Sequence, residues 1–569
     1  MHLQSNAPWS FNFDFSMTIQ DTFPVTRDPN RFPFADVASN ALTIMPPDPP
    51  HPNRLTTVNV DVQNHIMAFL RTQDLSALMR TCRYFFDACL IPLCARSGTL
   101  LCDDHMTQVP SFRQFLRIKA GPSSRVHLVK ELWIGVSSAA LRTRYHHDTL
   151  PAREQWSSAF IDILRHCRNV RRLRIDRWLF DDISFSLLVN TIASSMCYHL
   201  EDLTIPSPHN TQGDILCRLS RLPLRRLSFL NHREHTITDP LLSSAVSLER
   251  LPRSLTELDI HRCPSIDLPF LMVRKLGVRE TTSTTFVANA TAAFPNVAHL
   301  ILRRHTRAHP RHGASGHQLI DEHRKHNKLQ WQSGRRDALW PSLSTVWAGD
   351  VCALYHLGLS TQMTAISIPL RRNAEEAYVA PVLADTSPSS LELRVDMHEF
   401  DVTARTPADR WHGLFGPSTW SVLRLTLLVH TRDVTNKHRT VCTLETLDEM
   451  LPAFASLTHL LVRFVPKHTL ILADLERWKA PAGKHVRVVH DTIQAHLRAV
   501  TGASTSLRWV GYEVDGLGLK SWDVSRAGES PGLLAGPTLT ETSESAGLAV
   551  LKRERMDEFE DVKPLLVVA

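Results

Sequence analysis

Residues able to do chemistry are plentiful in this chain, but the spacings that would join them into a catalytic group fall short one after another. Gly313-Ala-Ser315-Gly316 sets a serine near glycines, whereas a nucleophile elbow needs glycines two before and two after it. Gly516-Leu-Gly518-Leu-Lys520-Ser521 ends like a phosphate-cradling loop, yet Leu519 stands where such a loop needs glycine directly before the lysine. No H-E-x-x-H occurs. His305, His309, His312, His317, His323 and His326 could gather a divalent cation. Zinc, however, takes ligands on rigid elements ordered by outer hydrogen bonds, and these histidines sit among arginines and lysines that would repel it. No metal and no cofactor is expected, and the chain reads as a non-catalytic one. What remains is the chemistry of contact, and the elements that must carry it are apolar stripes and strand faces.

The densest stripes lie between residues 54 and 96. Val62, Ile66, Phe69 and Leu70 recur at the spacing of one helical face. Thr72 and Asp74 interrupt, and either can cap a following helix by accepting a backbone N–H bond. Leu75, Leu78, Met79 and Cys82 form a second stripe. Phe85, Phe86, Cys89, Leu90 and Leu93 form a third, ended or bent by Pro92, which lacks the N–H a helix interior needs. A segment of about forty residues rarely stabilises itself without help. It is expected to finish its core against another surface, of the same chain or of a partner.

The order Val58, Asp61-Val62, Ile66, Phe69-Leu70, Asp74-Leu75, Leu78, Thr81-Cys82-Arg83, Phe85 resembles an F-box, the segment that docks onto the Skp adaptor of cullin-based ubiquitin ligases. Asn59 departs from the family pattern, which has proline after the opening apolar residue. The resemblance implies that Val62, Ile66, Leu70, Leu75, Leu78, Cys82, Phe85 and Phe86 face the Skp adaptor, and through it a cullin. The rest of the chain would then hold a protein substrate for ubiquitin transfer. Cys82, Cys89, Cys94 and Cys102 read as small buried side chains of this region.

Bulk properties set outer limits. A chain of 569 residues, 43% hydrophobic, is long enough for several domains or one extended repeat array. A net charge of +7 is modest for that length and permits an acidic partner without demanding nucleic acid. No apolar run is long enough to span a bilayer, so no membrane contact is expected. The start of the chain lacks the basic-then-apolar order of a secretory signal. The ten cysteines include no C-x-x-C pair, which suits free thiols in a reducing compartment. The expectation is a cytoplasmic or nuclear protein.

From residue 97 to 523 an apolar-x-x-apolar-x-apolar motif recurs. Copies include Val129, Leu132, Ile134; Val170, Leu173, Ile175; Leu200, Leu203, Ile205; Leu224, Leu227, Phe229; and Leu255, Leu258, Ile260. Others are Val297, Leu300, Leu302; Met363, Ile366, Ile368; Val422, Leu425, Leu427; Leu457, Leu460, Val462; and Leu507, Val510, Tyr512. Leu343, Val346, Ala348 and Leu391, Leu393, Val395 are weaker members. Helix-like stretches such as 153–167, 183–197, 446–455 and 492–500 fall between copies. Strand, loop and helix at this cadence resemble a leucine-rich-repeat solenoid, whose units hide their apolar faces only by stacking. The spacing of roughly twenty to fifty residues exceeds the repeat norm of about 20–29, so the array is irregular. The fold class expected is α/β: a three-helix F-box, then an irregular leucine-rich-repeat-like solenoid, with disordered termini.

Residues 1–53 are rich in proline and are expected to be a disordered linker. Residues 303–340 hold Arg303, Arg304, Arg307, Arg311, Arg324, Lys325, Lys328, Arg335 and Arg336, a basic insertion between repeats. Residues 524–569 turn to Gly, Ser, Pro, Thr and Glu and are expected to stay disordered. Residues alternating with the buried strand positions face outward. That makes Glu131, Trp133, Arg172, Arg174, Asp259 and His261 candidates for substrate contact, and their mixed signs suit a protein partner, not a nucleic acid. Two rival readings stay open. One is a repeat scaffold with no ligase attached, its residues 54–96 a folded cap. The other is a nucleic-acid or phospholigand binder acting through Arg303 to Arg336.

Overall fold

The computed structural model describes the N-terminal segment at residues 62–63, 66–67, 78, 81, 84–85 and 88–89. It then describes 99–559 apart from short breaks and longer ones at 136–149, 207–216, 231–250, 304–313, 397–413, 432–443, 467–492 and 527–536. The proline-rich stretch 1–53 lies outside the described residues. The chain divides into two units, Met1–His232 and Arg233–Ala569.

In the first unit, β1 (Thr99–Cys102), β2 (Glu131–Gly135), β3 (Arg172–Ile175), β4 (Asp202–Pro206) and β5 (Arg226–Leu230) pair in chain order, all parallel. Parallel neighbours need a crossover of a dozen residues or more. Here α1 (Gln108–Arg117), α2 (Leu150–His166) and α3 (Phe185–Ser195) occupy the first three crossovers. The repeated motif sets the register, matching Leu132 to Leu173, Leu203 and Leu227 across the strands. A slip of one residue would turn every one of these leucines to the opposite face. Arg113 and Arg117 of α1 both reach Asp162 of α2, at 2.5 and 2.7 Å, and fasten the two helices together.

The second unit repeats the scheme at greater length. Its parallel strands are β6 (Glu257–Arg262), β7 (Lys275–Glu280), β8 (His299–Leu302), β9 (Thr345–Ala348), β10 (Ala365–Leu370), β11 (Ser390–Asp396), β12 (Arg424–Thr431), β13 (His459–Pro466) and β14 (Trp509–Val514). Between them run α4 (Phe286–Ala293), α5 (Ala314–Ser333), α6 (Val351–Leu357) and α7 (Glu376–Thr386). One apolar ladder crosses all nine strands: Leu258, Leu276, Leu300, Val346, Ile366, Leu391, Leu425, Leu460 and Val510. None of these side chains is more than 2% exposed. Leu343, Val346 and Ala348, weak by sequence, are therefore full members. Strand β7, with Val273, Leu276 and Val278, adds a copy absent from the expected set, separated from β6 by residues 263–274 alone.

The C-terminal stretch departs from expectation. Only residues 515–517 separate β14 from β15 (Gly518–Ser525), too few for a crossover, so β15 and then β16 (Thr538–Thr542) join antiparallel. Helix α8 (Glu544–Arg553) follows, capped by Ser543, whose hydroxyl accepts the Ala546 N–H at 3.3 Å. The helix lies close enough to β15 that a Cβ at Gly547 would collide with Ser521. Leu551 and Met556 are buried with Leu461, Trp509 and Leu519. Phe559 is buried with Ile301, Trp347 and Ala365. Composition underrates this stretch because three well-placed apolar side chains land on an apolar strip already built by the strands.

The basic stretch is also ordered in large part. Helix α5 packs beside α6 and α7, with Arg324 stacked at 4.0 Å over the Tyr355 ring. Asp385 of α7 takes both Arg324 and Lys328, the latter at 2.7 Å. Trp331 donates its indole N–H to the Leu357 carbonyl at 3.0 Å. These contacts make α5 a repeat helix and not a solvated insertion. No helix among the described residues is long and apolar enough to cross a membrane.

Candidate interaction surface

In the N-terminal segment, Val62 and Ile66 are 48% and 44% exposed, one helical turn apart on the same face. The neighbouring face turns inward: Met67, Phe85 and Cys89 are buried together, with Leu78 and Ala88 half-buried against them. Cys89 Sγ lies 3.4 Å from Met67 Sδ, and Tyr84 donates its hydroxyl to Gln63 Oε1 at 2.5 Å. Phe85 is thus an inside residue of this segment, not an outward contact. Leu70, Leu75, Cys82 and Phe86 lie outside the described residues.

On the sheet of the first unit the outward residues satisfy one another. Glu131 and Arg172 stand opposite on β2 and β3, and pair at 3.0 Å. Asp202 and Arg226 repeat the arrangement on β4 and β5, at 3.2 Å. Arg174 lies across the Trp133 ring, 4.2 Å from its centroid, and a guanidinium in that position is held by the ring's negative face. The four candidates Glu131, Trp133, Arg172 and Arg174 therefore form one contiguous patch of matched groups.

The second unit presents a longer face of the same kind, opposite the apolar ladder. Its lowest row runs Glu257, Lys275, His299, Thr345, and a second row runs Asp259, Gly277, Ile301, Trp347. The first row, with Ile301 and Trp347 of the second and Phe559, borders a cleft of about 250 Å³. Glu257 and Lys275 pair at 3.7 Å, and His299 Nδ1 lies 2.5 Å from the Thr345 hydroxyl on the adjacent strand. Burial, helped by the Lys275 charge and opposed by Glu257, holds the His299 imidazole below the usual range. Asp259 is no outward contact: it is 6% exposed, and both its oxygens are taken by the Arg303 fork. It folds across Gly277, where a Cβ would come within 2.8 Å of the carboxylate and push it from its place against Arg303. His261 belongs to β6.

Past the cleft, the C-terminal segment occupies part of this face. Arg424 of β12 donates to the Glu554 carbonyl at 2.7 Å, while Met556 and Phe559 fill two apolar stations along it. This cover was not legible from composition; the spacing of Leu551, Met556 and Phe559 was its only trace.

One polar group resembles catalytic machinery. His496 bridges the Tyr512 hydroxyl, 2.9 Å from Nδ1, and Asp448, 2.7 Å from Nε2. Tyr512 is 1% exposed, and its burial drives the phenol pKa well up, so the hydroxyl stays protonated. Buried on the ladder side of β14, the group braces the core. His323 and His356 stand 2.8 Å apart on α5 and α6, and among the described residues no group of three metal-ligating side chains occurs.

No protein-family model matches the chain, and no curated protein does. Among solved structures, the leucine-rich repeat-containing protein LegL7 from Legionella pneumophila overlays with a TM-score of 0.31 at 12% identity. The overlay covers 57% of this chain and 87% of that one. The architecture is leucine-rich-repeat-like on its own geometry: a mixed α/β fold with long parallel sheets, strands paired in chain order and one apolar ladder per unit.

Proposed function

We propose that the chain is a non-catalytic interaction adaptor that binds a protein partner on its strand faces and the Skp adaptor of a cullin ligase through residues 54–96. The observation that carries the binding half is the second unit's strand face, with its cleft beside Ile301 and Trp347 and its mixed charges. The ligase half rests on the F-box resemblance and on Val62 and Ile66, apolar side chains left exposed on one helical face. Exposed apolar groups that cluster on one face are the usual sign of a docking surface. Ubiquitin transfer would then be served by proximity alone, with no proton moved by this chain. A cytoplasmic or nuclear site of action follows from the same reading.

The test is capture of the full chain on purified Skp adaptor, with Ile66→Asp as comparison. Wild-type recovery with roughly tenfold or greater loss in the variant is expected, since a buried charge at a contact centre costs about 1.4 kcal/mol or more. Equal recovery of both would end the ligase half. The rival scaffold then stands alone. A nucleic-acid role for the basic stretch is disfavoured because Arg303, Arg324 and Lys328 are already held by Asp259 and Asp385.

A further inference from the structure

Two rows of side chains cross the nine parallel strands of the second unit opposite the apolar ladder, one from Glu257 to Trp509 and one from Asp259 to Gly511. The C-terminal segment lies across these rows, running from the last strands back toward the first. Leu551 and Met556 meet Leu461 on β13 and Trp509 on β14. Glu554 meets Arg424 on β12, which donates to its carbonyl at 2.7 Å and stands 3.9 Å from its carboxylate. Phe559 reaches Ile301, Trp347 and Ala365 on β8, β9 and β10. The cleft begins where Phe559 sits, and its border follows the first row onward through His299, Lys275 and Glu257.

The turn that lays the segment on the face is the stop of helix α8. The Met556 N–H bonds the Leu551 carbonyl at 2.9 Å and the two side chains share one cluster, which is the pattern of a left-handed helix stop. Arg555 fills the left-handed position at φ 53°. Glycine is the usual residue there because a Cβ crowds the following carbonyl, so arginine holds this turn under strain. The strands beneath pair with their chain neighbours, so lifting residues 554–559 breaks no hydrogen bond of the ladders. What the segment offers the face is a carboxylate beside Arg424 and two apolar anchors, Met556 and Phe559, all of which a second peptide of the same pattern could supply.

We propose that residues 554–559 are a built-in competitor for this face, and that the partner displacing them brings a carboxylate followed two and five residues later by large apolar side chains. The occupant already seated on the face specifies that chemistry. Glu554 lies beside Arg424, Met556 takes the station between Leu461 and Trp509, and Phe559 takes the one between Ile301 and Trp347. Arg555 and Asp557 between them are exposed, so those positions are left open in the pattern. That the displacing segment belongs to another protein rests on the function proposed above; the competition itself does not.

The probe is a fluorescein-labelled peptide of residues 551–562, added to the full chain and read by anisotropy. An attached competitor acts at an effective concentration of about millimolar, so wild type should take the peptide weakly. Phe559→Ala weakens the attached copy and should bind the peptide at least tenfold more tightly. Arg555→Gly relieves the turn and should bind it more weakly than wild type. A peptide with alanine at both the Met556 and Phe559 positions should bind none of the three chains. Equal affinity of wild type and Phe559→Ala would overturn the proposal. So would a folded Phe559→Ala chain that takes no peptide, or equal binding of the alanine peptide. Should Phe559→Ala fail to fold by circular dichroism, Phe559→Leu decides: it should still bind more tightly than wild type, and equal affinity would overturn the proposal. The readout involves neither the Skp adaptor nor an unidentified partner, so its failure and the failure of the adaptor reading are separate results.

Discussion

Phe559 lies against Trp347, so the last described residue of the chain is seated on the middle of the second unit's strand face. The relationship makes the C-terminal segment part of the fold. Phe559→Ala should lower stability by about 3 kcal/mol, the lower end for emptying a buried phenylalanine site. Denaturant midpoints at unchanged slope would measure it. A loss under about 0.5 kcal/mol would mean the contact is dispensable.

Asp385 is the carboxylate that Arg324 and Lys328 share, Arg324 donating as well to the Tyr355 and Pro381 carbonyls. Arg324 is 8% exposed, so removing its partner strands a charge in the helix layer. Asp385→Ala should cost about 3 kcal/mol, near the low end for breaking a buried pair because Lys328 is partly solvated. Adding Arg324→Met should recover part of that loss. An Asp385→Ala variant as stable as wild type would show that the pairing contributes nothing.

Acid should weaken the fold in two stages. Burial holds the imidazoles of His299 and His459 below the usual range; Glu554 opposes this at His459, and Arg424, Arg553 and Arg508 add to it. Below about pH 6.5 the unfolded chain therefore takes up protons that the folded chain refuses, and stability falls with pH. A second decline should begin as the pH falls below about 4.3. At Glu554 and Asp162 burial pushes the carboxyl up, but hydrogen bonds from Arg553 and Arg113 and nearby positive charges outweigh it and hold both below their usual values. Their contribution is complete above the unfolded pKa and is lost as the pH falls through the folded one. Denaturant midpoints from pH 8 to pH 3 would reveal both steps, and His299→Gln should shrink the first. A flat profile from pH 7 to pH 5 would contradict the histidine account.

Ile66 and Met67 are adjacent in sequence and opposite in role, one exposed and one buried with Phe85. Met67→Asp should unfold the N-terminal segment, read as accelerated proteolysis there. Ile66→Asp should leave proteolysis unchanged. Equal sensitivity in the two variants would mean that both faces are covered.

Much of this architecture is legible along the chain. The apolar-x-x-apolar-x-apolar copies name strand after strand correctly because alternation is a local property: which face a strand residue joins depends only on its neighbours two positions away. Leu173 and Leu425 need no distant information to be identified as core. Residues 153–167 and 183–197 likewise announce helices α2 and α3 by their own periodicity.

Other features belong to tertiary structure alone. Asp259 alternates like a solvent-facing residue, yet Arg303, two strands away, and the missing side chain of Gly277 draw it inside. The charges of Arg324 and Lys328 look free until α7 brings Asp385 to them. A C-terminal stretch poor in apolar residues becomes ordered because Leu551, Met556 and Phe559 meet a strip that exists only after the strands have stacked. Local pattern determines which way each strand residue points; what that residue meets is set by segments distant in the chain, and no local period encodes the meeting.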